Sequence, residues 1–247
     1  PLKKSTEKLW RGCADFRQER RASENLYQQE VLNMKFAGVI FDLDGVLCFT
    51  DKYHYQAWKK LADRLGIYFD EKINGRLRGV ARMECLEIIL EKSEKQYTDQ
   101  EKKSFADEKN SCYRELLKNM TPDDISEEVR NTLNRLREKG LKLAVGSSSK
   151  NTPLILERTD LAKYFDAVSD GNNITRSKPA PEVFLKAAEG ISCKPAECLV
   201  VEDALAGIEA GIAGGFKTAA IGDAVQYHRS DFELKTFSDL LSIVENK

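Results

Sequence analysis

Gly38-Val39-Ile40-Phe41-Asp42-Leu43-Asp44-Gly45-Val46-Leu47 runs a short apolar stretch into two carboxylates one residue apart, followed by a glycine turn. Side chains two apart on a strand point the same way, so Asp42 and Asp44 aim at one spot. Like charges that close perturb each other's proton affinity. A cation between them removes the repulsion, and paired carboxylates with few other ligands suit Mg²⁺. Taken alone, the same residues also fit an apolar strand entering an ordinary Asp-Gly turn, so the surrounding chain has to decide.

From about residue 125 onward, strand and helix patterns alternate. A helix over 127–139 stops at Gly140, strand 141–145 follows, and Pro153 lies early in the next helix. Asp166-Ala167-Val168 reads as a short strand, Pro181 opens a helix to about 189, and 198–201, 206–213 and 217–221 read as strand, helix and strand. Such alternation implies a parallel sheet covered on both faces, which the strand at 38–42 would join. Residues 50–124 show helical spacing instead: Tyr53, Ala57, Leu61 and Leu65, then Leu86, Ile89 and Leu90, then Phe105, Tyr113, Leu116 and Leu117. The predicted fold class is α/β, a Rossmann-like parallel-sheet core (34–49 and 125–247) with an inserted all-helical cap (50–124). Residues 1–33 are polar and mixed in charge. Glu24-Asn25-Leu26-Tyr27-Gln28-Gln29 is similar to a protease site used to release tags, although Gln28 stands where Phe is expected. The stretch is read as an N-terminal extension outside the fold, with a partner-binding arm as the alternative.

Ligands of open α/β sheets bind at the carboxyl ends of the strands. Strand 141–145 ends at Gly146-Ser147-Ser148-Ser149-Lys150-Asn151, where hydroxyls, backbone N–H groups and a following helix suggest a phosphate cradle. Strand 198–201 ends at Glu202-Asp203, an acidic pair that could cap a helix or hold a metal. Lys178, before Pro179-Ala180-Pro181, adds a cation between these two strand ends. Each feature has a mundane reading as loop, cap or surface lysine; their conjunction at three strand ends points to phosphoryl chemistry.

Composition limits the alternatives. The 247 residues are 41% hydrophobic, enough for a sizeable core, and the formal charge of −1 gives no basic field to recruit nucleic acid. No apolar run is long enough to span a bilayer. No signal-peptide pattern opens the chain, from which a cytoplasmic location is expected. The six cysteines form no Cys-x-x-Cys pair and there are two histidines, which argues against zinc and for reduced thiols.

Asp42-x-Asp44-Gly45, the Ser147 loop, Lys178-Pro179 and Glu202-Asp203 resemble, in order, the haloacid dehalogenase superfamily of phosphotransferases, over nearly the whole chain from Met34. Further stretches are similar to the β-phosphoglucomutases within it: Tyr53-His54 with Ala57-Trp58, Leu77-Arg78-Gly79-Val80 with Arg82, Ser147 to Asn151, Ser177 to Pro181, and Val201-Glu202-Asp203 with Ala206-Gly207-Ile208. The resemblance implies that Asp42 is a nucleophile forming an aspartyl phosphate and Asp44 the general acid and base. It implies one Mg²⁺ on Asp42, Asp203, the Asp44 carbonyl and Glu202, directly or through water. Ser147 and Lys178 would hold the transferring phosphoryl group, and Thr50 and His54 would place Asp44. Trp58, Gly79, Val80, Arg82, Lys109 and Ser148 would line the sugar site, and Arg82 would clamp the distal phosphate with Ser149, Lys150 and Asn151. The implied reaction interconverts β-D-glucose 1-phosphate and glucose 6-phosphate through glucose 1,6-bisphosphate, on small phosphorylated sugars. Nothing in the sequence marks an oligomer interface, so a monomer is the default expectation, and charge and hydropathy point to neither nucleic acid nor membrane as partner. A capped sugar-phosphate phosphatase and a catalytically silent phosphate-sugar sensor are the alternatives. Ala204, Ala81, Cys48-Phe49 and Ser148 depart from the family pattern and bear on sugar specificity more than on phosphoryl chemistry.

Overall fold

The computed structural model describes residues 35–77 and 80–245. The reading of residues 1–33 lies outside them. Strand β1 (Gly38–Phe41) pairs in parallel with β2 (Lys142–Gly146) on one side and β4 (Cys198–Glu202) on the other. With β3 (Ala167–Ser169), β5 (Lys217–Ala220) and the two-residue β6 (Phe232–Glu233), the sheet runs β3-β2-β1-β4-β5-β6, all parallel. A sheet with β1 at its centre brings the carboxyl ends of β1, β2 and β4 side by side.

The central strands are buried on both faces, which is why they read as nearly unbroken apolar runs. Alternate residues feed two separate clusters. Val39, Phe41, Leu143, Val145, Leu199 and Val201 join one; Ile40, Ala144, Cys198 and Val200 join the other. Between β1 and β2 the chain is helical: α1 (Asp51–Leu65), α2 (Glu71–Gly75), α3 (Arg82–Leu90), α4 (Asp99–Leu117) and α5 (Glu127–Glu138). Helices α6 (Thr152–Arg158), α7 (Glu182–Gly190), α8 (Leu205–Ala213) and α9 (Leu240–Val244) complete the set among the described residues. Helices α5, α6 and α9 cover the first cluster, and α7 and α8 the second.

The ends of the helices are set by local chemistry. Thr98 and Glu101 form a reciprocal capping box at the start of α4, and the Ser126 hydroxyl accepts the Val129 N–H at 3.2 Å to start α5. Gly66 ends α1 in the left-handed conformation (φ 71°) that glycine adopts without steric penalty.

Helices α1 to α4 enclose a cluster of their own, with Trp58, Leu61, Leu86 and Ile89 at its centre. One side of that insertion belongs to the sheet instead: Tyr53, Ala57, Tyr113 and Leu117 pack in the first sheet cluster with Leu43 and Leu47. The seam between insertion and sheet is therefore apolar and lies directly above the carboxyl end of β1. No helix among the described residues is long and apolar enough to cross a membrane. The five described cysteines are free thiols.

Leu133 of α5 is fully buried in the first cluster. Leu133→Ala should destabilise the protein by about 2–5 kcal/mol, seen as a lower urea midpoint; an unchanged midpoint would contradict this packing.

Candidate active site

Asp42 follows the last residue of β1, and its N–H continues the ladder by donating to Val201 O at 2.9 Å. Asp42 is only 7% exposed, in a region built to be apolar. Lys178 answers it. The ammonium donates to Asp42 Oδ1 and, at 2.6 Å, to Glu202 Oε1, while lying 4.6 Å from the Phe184 ring centroid. Burial alone would pull Lys178 down, but the two carboxylates push it above its ordinary value, so it stays charged. The second oxygen of Glu202 accepts the Ala204 N–H at 2.8 Å. Gly207 opens space for that carboxylate: a Cβ there would lie 1.8 Å from Glu202 Oε1.

Asp203 packs over the turn after β1. A Cβ on Gly45 would lie 1.9 Å from Asp203 Oδ2, and Gly45 holds φ at 80°. Burial, then Glu202 and Asp42, raise the Asp203 carboxyl above its usual range; burial also raises Asp42, against the pull of Lys178. Lys178 bridges Asp42 and Glu202 alone, and with Asp203 close by the deficit of positive charge is felt by both Asp42 and Asp203.

Those facts test the fit of a Mg²⁺ ion. No three His, Cys, Asp or Glu side chains among the described residues form a ready cage. A closed cage is not what Mg²⁺ requires, since it keeps several waters and binds through one or two carboxylates plus substrate phosphate. Asp42 and Asp203 supply hard oxygen donors with unfavourable charge to relieve, so the residues fit. Glu202 has both oxygens engaged by Lys178 and Ala204, which assigns it to holding the lysine and leaves it a contact to the ion through water.

Asp44 is held from the insertion. The Thr50 hydroxyl donates to Asp44 Oδ1, and the Tyr113 hydroxyl of α4 donates to Thr50 Oγ1 at 2.9 Å. Burial raises Asp44 to about 6, with the Thr50 bond opposing. The His54 ring lies against Tyr113 with centroids 4.1 Å apart, and its Nδ1 is 2.9 Å from Lys109 Nζ. Lys109 is buried beneath Trp58 and Tyr113, 4.7 and 4.6 Å from their ring centroids. Burial, then Arg82, lowers Lys109 to about 7; burial, then Lys109, holds His54 well below its usual range.

The Ser147–Asn151 loop lies at the end of β2. Ser147 is buried, its N–H donates to Ser169 O at 3.1 Å and its hydroxyl accepts the Ser149 N–H at 3.2 Å. Ser148 Oγ accepts the Lys178 N–H at 3.4 Å, which joins the loop to the lysine segment. The helix that follows, α6, has seven residues, so the loop's own groups must carry most of any phosphate contact. Lys150 is exposed.

The structure thus brings Asp42, Lys178 and Glu202 together, links Asp44 to Thr50, and groups His54, Trp58 and Lys109. Arg82 sits half-buried at the start of α3, beside Lys109, and no hydrogen bond joins it to Ser149, Lys150 or Asn151. Asn151 is engaged instead by Asn110 and Arg114 of α4. Val80 is partly buried against the insertion's own cluster. The reading of Gly79 lies outside the described residues. In sequence Tyr113 reads as a packing residue; its spacing of four from Lys109 on one helix is the signal that marks it as a neighbour of the site. Cys48, after the acidic turn, is a buried thiol raised well above its ordinary value, in keeping with an inert role.

Gly207→Ala should force Glu202 off Lys178 and lower the unfolding midpoint. Adding Glu202→Ala removes the clashing side chain, so the double variant should lose less than the two singles combined, with a coupling of about 0.5–3 kcal/mol. Additive losses would mean that the two positions are independent.

Residues 36–215 match the family described as haloacid dehalogenase-like hydrolase. Over 204 residues the chain is 38% identical to a β-phosphoglucomutase of Bacillus subtilis, spanning 82% of this chain and 90% of that one. Over 182 residues it is 34% identical to a phosphorylated carbohydrates phosphatase of Thermotoga maritima, spanning 72% and 82%. The crystal structure of a β-phosphoglucomutase from Clostridium difficile superposes with a TM-score of 0.75 at 35% identity, over 83% of this chain and 93% of that one. By its sheet order, by the acids gathered at the ends of β1 and β4, and by this likeness along most of its length, the chain belongs to the haloacid dehalogenase-like hydrolases.

Proposed function

We propose that this enzyme is a Mg²⁺-dependent β-phosphoglucomutase, interconverting β-D-glucose 1-phosphate and D-glucose 6-phosphate through phospho-Asp42 and a bound glucose 1,6-bisphosphate. The observation that carries the proposal is the relay from Tyr113 through Thr50 to Asp44. A mutase must activate a sugar hydroxyl and deny water the same help. Here the proton-transfer carboxylate takes its position from a helix of the insertion, so it is set in place only when that insertion sits over the site.

Transfer begins with phosphoryl on Asp42. The free hydroxyl of β-glucose 1-phosphate attacks phosphorus, Asp44 takes its proton, and the bond from phosphorus to the Asp42 oxygen breaks. The bisphosphate then presents its other phosphate. A carboxylate oxygen of Asp42 attacks that phosphorus, the bond to the sugar oxygen breaks, and Asp44 returns the proton to it. Ser147 and Lys178 hold the equatorial phosphoryl oxygens, over which charge is spread in the transition state. The Asp42 and Asp203 carboxylates and the Asp44 carbonyl, with Glu202 through water, would hold the Mg²⁺, which when bound would offset the repulsion between anionic nucleophile and anionic phosphate. The helical insertion acts as the cap, with His54, Trp58, Val80, Arg82 and Lys109 on the sugar side.

A second reading, sugar-phosphate hydrolysis, is favoured by the likeness to the Thermotoga maritima phosphatase. In it, water replaces the sugar hydroxyl as the acceptor.

One assay separates the two. Glucose 6-phosphate formation is followed from β-glucose 1-phosphate with Mg²⁺ and catalytic glucose 1,6-bisphosphate, with the α anomer as control and inorganic phosphate measured in parallel. The expected result is conversion of the β anomer only, loss of turnover in Asp42→Ala, and a drop of roughly 10²–10⁴-fold in Asp44→Asn. Steady phosphate release from glucose 6-phosphate, indifferent to the bisphosphate, would replace the mutase reading with the phosphatase one.

A further inference from the structure

Asn151 occupies the position just before α6, where an asparagine ordinarily caps its own helix. Its side chain makes no such bond. It is buried, and its amide is committed to the insertion: Oδ1 accepts from Arg114 Nη1 at 3.1 Å and Nδ2 donates to Asn110 Oδ1 at 3.0 Å. Asn110 and Arg114 are one turn apart on α4, so they share a face. Tyr113 lies between them in sequence and holds Thr50. One helix therefore touches both the residue that sets Asp44 and the loop that would hold the phosphate left in place during transfer.

Charge favours a second role for Arg114. A phosphate dianion at Ser149–Asn151 needs cations, and Lys150 brings one. Beside Arg82, which the resemblance already gives as a clamp, Arg114 donates directly to the loop at Asn151. The Arg114 side chain is exposed, and the bond to Asn151 uses one of the five donors of a guanidinium. The planar fork of such a group matches phosphate oxygens two at a time.

We propose that Arg114 is a further substrate-binding and positioning residue: it contacts the non-transferring phosphate beside Asn151 and couples occupancy of that loop to the seating of α4. The inference rests on the assignment of Ser149–Asn151 as a sugar-phosphate cradle. It does not depend on whether the acceptor is a sugar hydroxyl or water.

Binding tests it without turnover. In an Asp42→Asn background with Mg²⁺, calorimetric titration with β-glucose 1-phosphate should show Arg114→Ala weakening affinity roughly tenfold, the size expected for loss of a charge-assisted hydrogen bond. Arg114→Lys should restore part of the loss. In the active enzyme, Arg114→Ala should raise KM for β-glucose 1-phosphate more than it lowers kcat. Its penalty on kcat/KM should be about tenfold heavier there than with acetyl phosphate, a donor that has no second phosphate. Native affinity in Arg114→Ala, or equal penalties with both donors, would reduce Arg114 to a surface residue that ties two elements together. Failure of the native protein to convert β-glucose 1-phosphate, with the affinity difference intact, would overturn the mutase assignment alone.

Discussion

A single ammonium shared between two buried carboxylates governs this molecule. Lys178 reaches Asp42 at the end of β1 and Glu202 at the end of β4, two neighbouring strands of a sheet buried on both faces. Removing charged groups from water is unfavourable unless they are paired and hydrogen-bonded, and here each partner has its bond. Glu202 serves this bond from its protected position: its other oxygen is fixed by a backbone N–H, and a glycine on α8 makes room for it. The result is a lysine fixed in place before any substrate arrives, which is what stabilisation of a transferring phosphoryl group demands.

The second organising element is α4. Its buried face carries Lys109, Tyr113 and Leu117, spaced by four, and beside that face lie the half-buried Asn110 and the exposed Arg114. Through Tyr113 it reaches Thr50, and through Asn110 and Arg114 it reaches Asn151. Elements that follow β1 and β2 in sequence are thus joined by a helix inserted between those strands. Chemistry at the sheet and recognition by the insertion share one rigid part.

Much of the core was legible because parallel strands buried on both faces announce themselves as apolar runs, and because acids, hydroxyls and a lysine follow three of them. The strand at 198–201 and its acids are within one residue of β4, and helix 127–139 within one of α5. The weak features escaped for physical reasons. Strand β6 has two residues and α9 five, too few for any period to show. Helix α2 is also five residues long, set by the Asp70 side chain accepting the Ile73 N–H rather than by an apolar stripe. Within the site, the family resemblance gives Arg82 as a clamp on the distal phosphate, alongside the Ser149–Asn151 loop. The contact of Arg114 with Asn151 was not legible, since which arginine meets a loop depends on how two helices pack, and one-dimensional spacing does not record that. Tyr113 was hidden differently: one side chain is both core and relay, and its apolar neighbours masked the hydroxyl.

The four seam residues Tyr53, Ala57, Tyr113 and Leu117 belong by sequence to the insertion and by packing to the sheet. Grafting experiments among relatives would feel this at once. A chimera that exchanged helices α1 to α4 as a module would import half of a foreign hydrophobic joint together with the tyrosine that steadies Thr50. Successful recombination would have to move Leu43 and Leu47 along with those helices, so the natural crossover points lie inside the acidic turn, a few residues away from where the secondary structure changes.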